Sequence, residues 1–492
     1  MAILTIRKGK TVLSVPFEGT PKVSELTEKA GFALPHPCGG RGVCGKCAVD
    51  IEGALSPLTE NEKRAGHRLS CQTRLLGDAI LTLPEEKPEM VIETGFGSLN
   101  VSFAPMSGTV GAAVDIGTTT VVLRLYDLKT GAFLADASAV NPQTAIAADV
   151  MGRIGAAKEG KLSLLSGLIR DCIRSLRNEA VTKAGLTPDA VDRYVLTGNT
   201  TMLYLLTGRD PDCLSHAPFR ADTLFGEEWE FDGVPAYLPR CMSAFVGADI
   251  STAVLASGMT EKNETALLCD IGTNGEIALF KNGKLYVSST AAGPAFEGAG
   301  ISCGCGGVPG AIDRVTVTEG GLGVHVIGEG KATGICGSGL IDAVACYLDT
   351  EIIDETGSID GDTTLADGVA PNQKDIRAVQ LAKAAIAAGI KTLLEVSGTK
   401  EEEIGTLCIA GGFGSHLNIA SAVRIGLIPG ALGAVARPIG NAALAGAVTL
   451  MLDASSVGTL NAFAESAEAV NLGGNPAFNE NYMEQMLFPF ED

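Results

Sequence analysis

A strand that runs into Asp-Ile-Gly-Thr and leaves again as a strand occurs twice in this chain, and it restricts the fold more than any other feature. Residues 112–138, "AAVDIGTTTVVLRLYDLKTGAFLADAS", read as an apolar strand ending in Asp115, a tight turn at Gly117 and Thr118, a second strand, a turn at "DLKTG" and a third strand. Residues 267–290, "LLCDIGTNGEIALFKNGKLYVSST", repeat these events around Asp270, Gly272 and Thr273, with "KNGK" as the later turn. A turn of small residues at a strand end can offer backbone N–H groups and hydroxyls to phosphate oxygens, while an adjacent aspartate holds a magnesium ion or a water. One such turn alone is an ordinary hairpin. Two copies, 155 residues apart, predict a duplicated domain whose turns face one another.

The front of the chain is different in kind. Cys38, Cys44, Cys47 and Cys71 are spaced C-x5-C-x2-C-x23-C, and Gly39, Gly40, Gly42 and Gly45 crowd the loop that holds the first three. Four thiolates can hold two irons bridged by two sulfides, and glycines let backbone N–H groups point at the sulfurs and offset their charge. Structural zinc usually takes two close cysteine pairs, and one C-x2-C is present; zinc and an inert thiol set stay as the other readings. Around the loop, "AILTIRKGKTVLSVPF" predicts two strands, "KVSELTEKAG" a helix, and "GKCAVDIEG" and "DAILTLP" two more strands, a small mixed α/β unit over residues 1–86. Residues 87–108 carry several prolines and glycines without a period and read as a linker or as a surface strap.

Charge separates the two parts. Residues 1–86 hold 11 basic and 10 acidic residues, so of the net charge of −20 the rest of the chain carries −21. No basic stripe is available to neutralise phosphates, which argues against a nucleic-acid partner. The most apolar stretch is broken by Arg437, Pro429 and Pro438, so no membrane span is expected. The N-terminus lacks the unbroken apolar core of a signal peptide, and thirteen cysteines, an odd number, argue against a disulfide framework. Together these predict a cytoplasmic protein.

The cysteine spacing, with "HRLSCQ" around Cys71, resembles the ferredoxin family, which implies a β-grasp domain and a 2Fe–2S cluster on Cys38, Cys44, Cys47 and Cys71. Residues 109–492 resemble the ATPase superfamily of actin, sugar kinases and heat-shock chaperones, with phosphate loops near 115–120 and 270–276. "FVGADISTAVLASG" (245–258) is similar to that family's first connecting helix, and "LCIAGGFGSHLN" (407–418) to its adenosine segment. The resemblance implies a duplicated RNase H-like fold of α/β and α+β type that binds ATP and Mg2+. It puts Asp115, Asp270 and Asp249 on the metal or the attacking water, Gly117, Thr118, Thr119, Gly272, Thr273 and Asn274 on the phosphates, and Gly411, Gly412 and Gly414 beside the nucleoside.

The full order of parts, including "SSTAAGPAFEGAGISCGCGGVPGAI" (288–312), resembles the reductive activators of corrinoid proteins. That family implies ATP-dependent transfer of one electron from the 2Fe–2S cluster to a corrinoid protein, returning cob(II)amide to cob(I)amide for methyl transfer, as in aromatic O-demethylation. It implies a corrinoid protein and a low-potential electron donor as partners, and a second copy of the chain as a further one. Some members place a separate domain before the first phosphate loop, whereas here the linker runs almost straight into it. No cysteine follows Cys408, so one binuclear cluster is the expected redox centre. Ser288, Ser289, Glu297 and Ser302 are the candidates for facing the corrinoid; the other reading of that segment is a glycine-rich interlobe loop.

Three stretches have plainer readings beside these. Lys383, on a helix over 375–394 that turns Ile376, Val379 and Ile386 inward, is expected to be solvated rather than a nucleotide contact. Gly198, Asn199 and Thr200 form a polar turn that is either a plain turn or a cleft wall, and Cys303, Cys305 and Cys336 are expected to be buried small side chains rather than a second metal site. The rival functions are an ATP-driven activator of a dehydratase or other radical enzyme and a redox-sensing nucleotide-binding regulator. A sugar kinase is the weakest, since nothing marks a sugar pocket.

Overall fold

The computed structural model describes residues 2–8, 11–32, 34, 40–42, 47–83, 101–328, 330–412 and 416–489. The chain divides into two units, residues 1–89 with 141–169, and residues 90–140 with 170–492.

In the first unit, β1 (Ala2–Lys8) and β2 (Thr11–Phe17) form a hairpin, followed by α1 (Val23–Lys29), β3 (Ala48–Leu55), α2 (Glu60–Ala65), β4 (Arg68–Leu69) and β5 (Leu75–Leu83). The strands assemble as β2-β1-β5-β3-β4, with β1 and β5 parallel. Alternation puts Leu4, Ile6, Leu75, Ala79 and Leu81 on one face, where α1 closes the core with Val23 and Leu26. The five elements expected from the sequence are present; α2 and β4 were not foreseen, although "TENE" is a capping box. Thr59 Oγ1 accepts from Glu62 N at 3.3 Å, and Glu62 Oε2 accepts from Thr59 N at 2.8 Å. Residues 141–169 supply α3 (Val150–Ala156) and the start of α4 (Leu162–Lys183), and buried Arg153 donates to Gln143 Oε1 and to the Ala147 carbonyl.

The second unit contains two six-stranded sheets. The first holds β6 (Val110–Ile116), β7 (Thr120–Asp127), β8 (Phe133–Val140), β9 (Arg193–Gly198), then, after α5 (Thr200–Thr207), β10 (Glu227–Phe231) and β11 (Val234–Leu238), in the order β10-β11-β9-β6-β7-β8. After α6 (Ala248–Ser257), β12 (Thr265–Ile271), β13 (Gly275–Lys281) and β14 (Lys284–Thr290) begin the second sheet. Next come a smaller three-stranded sheet of β15 (Ala311–Thr318), β16 (Gly321–Val326) and β17 (Gly334–Ile335), then α7 (Gly337–Asp349) and α8 (Gln373–Ser397). The second sheet is completed by β18 (Ile404–Ala410), β19 (Ala436–Gly440, after α9, Ile419–Arg424) and, beyond α10 (Ala442–Leu452) and α11 (Ser456–Ser466), β20 (Glu468–Ala469); α12 (Pro476–Glu484) follows. Its order is β19-β18-β12-β13-β14-β20.

The two sheets share a plan: an antiparallel three-strand meander whose first strand pairs in parallel with a later one, β6 with β9 and β12 with β18. Helices α6 and α10 pack on both sheets through a single core that joins Ala113, Val122 and Val195 to Leu268, Ala278 and Cys408. Their N-terminal ends lie near the strand ends that carry the turns: Asn441, which precedes α10, donates to Asp115, and Asp249 in the first turn of α6 is close enough to Asp270 and Asp115 to be repelled by them. Of the linker, residues 87–100 lie outside the described residues; its last part is a strap, since Ala104 and Met106 donate to the Leu452 and Met451 carbonyls. Lys383 corrects its expectation. It is buried in α8, with Nζ donating to the Leu487 carbonyl and lying 5.3 Å from the Phe488 ring centre, so the C-terminal segment, invisible to a periodicity argument, covers it.

Candidate functional site

Two sites follow from these elements. In the first unit Cys47 and Cys71 are buried with their sulfurs 3.3 Å apart; Cys38 and Cys44 lie outside the described residues. Two thiolates on one tetrahedral metal sit about 3.8 Å apart, so this pair would open by about half an ångström to share one iron of a binuclear cluster. The contact with Cys71 brings the Cys47 thiol down to about 6, which favours the thiolate that a metal needs. Glu62 holds this corner in place. It is buried, and its Oε1 accepts from Leu69 N at 3.2 Å and from Thr73 Oγ1 at 2.5 Å on either side of Cys71. Burial opposes its charge, but hydrogen bonds from Thr59, Thr73 and Leu69 keep its carboxyl below the usual range.

In the second unit the two turns meet at a cleft floored by carboxylates. Asp115 ends β6 and Asp270 ends β12, while Asp249 lies in the first turn of α6, where the helix dipole favours an anion. Each keeps partial solvent access yet is closely surrounded by protein, and burial is the main cause that raises all three. Asp115 rises to about 6, Asp270, with Asp115 and Glu297 adding repulsion, to about 7, and Asp249, with Asp270 and Asp115, to about 8. Glu276 stands directly opposite Asp270 in the β12–β13 ladder, is buried, and is likewise raised, by burial and then by Asp249 and Asp270. The matching position opposite Asp115 is Val122, so the extra carboxylate belongs to the second sheet alone.

The loops' polar groups are held in place. Asn199 caps α5, accepting from Met202 N, and donates to Thr118 Oγ1 at 3.1 Å, so the turn after β9 is a wall of the cleft. Asn441 caps α10, accepting from Leu444 N at 2.8 Å, and donates to Asp115 Oδ2 at 2.9 Å. Thr119 Oγ1 and Thr273 Oγ1 both donate to Glu297, at 2.5 and 2.9 Å. Gly117 and Gly272 form the tight turns, with Gly272 N donating to the Asn274 carbonyl, and Asn274 also reaches Glu276. Gly411 follows β18 at φ +106, and a Cβ there would fall 2.9 Å from Asp270 Oδ1, so glycine is needed where the chain passes the carboxylates. Gly412 follows it; Gly414 lies outside the described residues.

Among the described residues no three His, Cys, Asp or Glu side chains converge closely enough to cage a metal ion. Magnesium rarely asks for that, since one or two carboxylates with waters and substrate phosphates suffice, and a floor of mutually repelling carboxylates is the donor set it fits. The corrinoid-facing expectation needs a correction at Ser288: it is buried in β14, and its hydroxyl donates to the Val470 carbonyl at 2.8 Å. Ser289 reaches Glu276 at 3.4 Å, exposed Ser302 is bonded to Asp375, and Glu297 lies between the two turns. Asn441 and Glu276 are the site residues that motif reading missed. Asn441 was findable as an N-cap before an apolar helical run, whereas the role of Glu276 appears only once strand register is known.

Comparison with known proteins divides the chain into three stretches. Residues 8–76 match the family "2Fe-2S iron-sulfur cluster binding domain", residues 110–262 "RACo middle region", and residues 264–492 "C-terminal domain of RACo the ASKHA domain". The corrinoid activation enzyme RamQ of Eubacterium limosum is 36% identical over 418 residues, covering 77% of this chain and 70% of that protein. The [Co(II) methylated amine-specific corrinoid protein] reductase of Methanosarcina barkeri is 29% identical over 55% of this chain and 54% of its own length. The solved structure of a reductive activator for corrinoid, iron-sulfur protein superposes with a TM-score of 0.72 at 25% identity, covering 100% of this chain and 99% of that one. With its ferredoxin-type front and actin-type ATPase body, the chain belongs to the RACo-like family of corrinoid activation enzymes.

Proposed function

We propose that this chain uses ATP to drive one electron from a 2Fe–2S cluster into the cob(II)amide of a methyl-transferring corrinoid protein. The observation that carries the reading is the union in one family-matched chain of a buried thiolate pair and a carboxylate-floored cleft between two threonine-bearing turns. As a member of this family it is an ATP-dependent reductive activator. Ferredoxin-type clusters sit near −400 mV, and each 100 mV uphill costs about 2.3 kcal/mol, which is why an electron carrier is joined to an energy-releasing domain.

The parts take these roles. Cys38, Cys44, Cys47 and Cys71 hold the cluster, which supplies a one-electron carrier, with Cys47 and Cys71 on one iron. Residues 1–86 are the electron-carrying domain, 87–108 a connection, and 109–492 a duplicated, RNase H-like ATPase. The common plan of the two sheets supports that duplication. Asp115, Asp270 and Asp249 would hold Mg2+ and orient the attacking water, the cation supplying positive charge for the phosphates; in the nucleotide-free protein Asp249, raised to about 8, keeps its own proton and must lose it before it can accept one from that water. Thr118, Thr119, Thr273 and Asn274 donate to phosphate oxygens, and Gly411, Gly412 and Gly414 admit the nucleoside. Of the candidates for the corrinoid, we keep exposed Ser302 and, at the root of the same turn, Glu297. We assign the chain to a methyltransferase system such as aromatic O-demethylation, fed by a low-potential donor. No described helix is long and apolar enough to cross a membrane.

The test mixes the reduced protein with candidate corrinoid proteins and follows cob(II)amide and cob(I)amide by absorbance, with and without MgATP. ATP-dependent cob(I)amide formation with a corrinoid protein of a methoxylated-aromatic system is expected. The same response confined to a methylated-amine system would reassign the methyl donor, and no response with any would refute the reading.

A further inference from the structure

Glu297 touches both phosphate turns. Its Oε2 accepts from Thr119 Oγ1 on the first sheet's turn and its Oε1 from Thr273 Oγ1 on the second's, at 2.5 and 2.9 Å. Glu297 closes a short turn, Pro294–Glu297, that is anchored by Phe296 in the core of the second sheet. Gly298 follows at φ +75, where a Cβ would lie 2.2 Å from the Cys305 carbonyl, so the chain leaves the turn by a path open only to glycine. Ala299 and Gly300 are exposed, and the path is fixed again at Ile301, buried in the same core as Phe296, and at Ser302, which bonds Asp375 and accepts from Asn372 Nδ2. A carboxylate that ties two lobes together thus sits at the root of an exposed turn fastened at both ends.

A hydroxyl has one proton to donate. If Thr119 and Thr273 give theirs to nucleotide phosphates, Glu297 loses both partners, and its charge is then beside like charge. Phosphate and Glu297 therefore cannot hold the two hydroxyls together. We infer that Glu297 is a latch between the two phosphate turns which the phosphates of MgATP displace, so that nucleotide binding loosens the turn whose exposed tip is Ala299 and Gly300. The inference rests on the ATP-cleft reading above and adds to it how the cleft reports to the surface. Glu297 is a positioning residue in this scheme. Its carboxylate competes with the nucleotide and takes no part in the chemistry.

The experiment uses the full chain with its cluster intact, as wild type, Glu297→Ala and Glu297→Gln, with Mg2+ and a non-hydrolysable ATP analogue as the probe. Calorimetry gives affinity, and hydrogen exchange gives protection over residues 293–302. Removal of the competing carboxylate is expected to tighten analogue binding by about fivefold or more in Glu297→Ala, with Glu297→Gln between it and the wild type. Exchange over 293–302 is expected to rise in the wild type on saturation and to be high from the start in Glu297→Ala. Unchanged or weaker binding by Glu297→Ala would overturn the latch, as a metal or phosphate ligand behaves that way. Unchanged wild-type exchange at saturation would overturn it too, and this arm stands even if the variant fails to fold. Failure of the wild type to bind the analogue at all would instead remove the ATP-cleft reading on which the latch depends.

Discussion

Asp249→Asn should make the nucleotide-free protein more stable, and increasingly so as pH rises. The Asp249 carboxyl is raised to about 8 by burial and by Asp270 and Asp115, against 3.8 for the free side chain. A carboxyl raised on folding keeps its proton in the native state after the unfolded chain has lost it. Between about pH 4 and 8 the native state then binds more protons, and stability falls with rising pH. From pH 5 to 8 the full slope would amount to about 4 kcal/mol; partial exposure screens this, and roughly 2 kcal/mol is the expected effect. Asparagine keeps the shape and the oxygen that accepts from Ile250 N at 2.8 Å, so it removes the charge and little else. Urea denaturation of both proteins at pH 5 and pH 8, followed by circular dichroism, measures the difference. A gain for Asp249→Asn that is large at pH 8 and small at pH 5 is expected, together with loss of ATP hydrolysis. An equal gain at both values, or none at pH 8, would refute the charge-repulsion reasoning.

Further expectations follow from individual contacts. Cys47→Ser should abolish the cluster's visible absorbance and electron transfer while leaving MgATP hydrolysis within about twofold, because Cys47 lies in the other unit. Asn441→Ala removes both the α10 cap, worth about 1 kcal/mol, and the donor that opposes the rise of Asp115; ATPase should fall at least about tenfold, with its pH optimum moved to the alkaline side. Lys383 is lowered to about 7 by burial and by Lys391, so the native state has shed a proton that the unfolded chain keeps up to about pH 10, and wild-type stability should rise across that window. Lys383→Met should flatten this rise and be more stable by about 1–2 kcal/mol at pH 7, measured by denaturation.

What the sequence revealed is what local pattern can carry. Two Asp-Ile-Gly-Thr turns, each between apolar runs, are hairpin geometry written in small residues, and the strands around Asp115 and Asp270 form as read. The spacing of Cys47 and Cys71 anticipated two sulfurs that meet 3.3 Å apart across 24 residues of chain. What stayed hidden depends on contacts between distant segments. The pairing of Glu276 with Asp270 needs the β12–β13 register, and the burial of Ser288 needs the chain at Val470, which no property of residues near 288 announces. Lys383 misled for the same reason, since its cover lies about a hundred residues away. Asn441 and Glu62 fall between: each begins or supports a helix by a legible capping rule, but the group each one positions is remote.

The measurement that tests the central claim most directly is the rate of cob(I)amide formation by the pre-reduced, cluster-loaded protein with its corrinoid partner, with MgATP present or withheld. The account predicts formation only when MgATP is supplied and none from Cys47→Ser under either condition. Equal rates and extents with nucleotide withheld would contradict it.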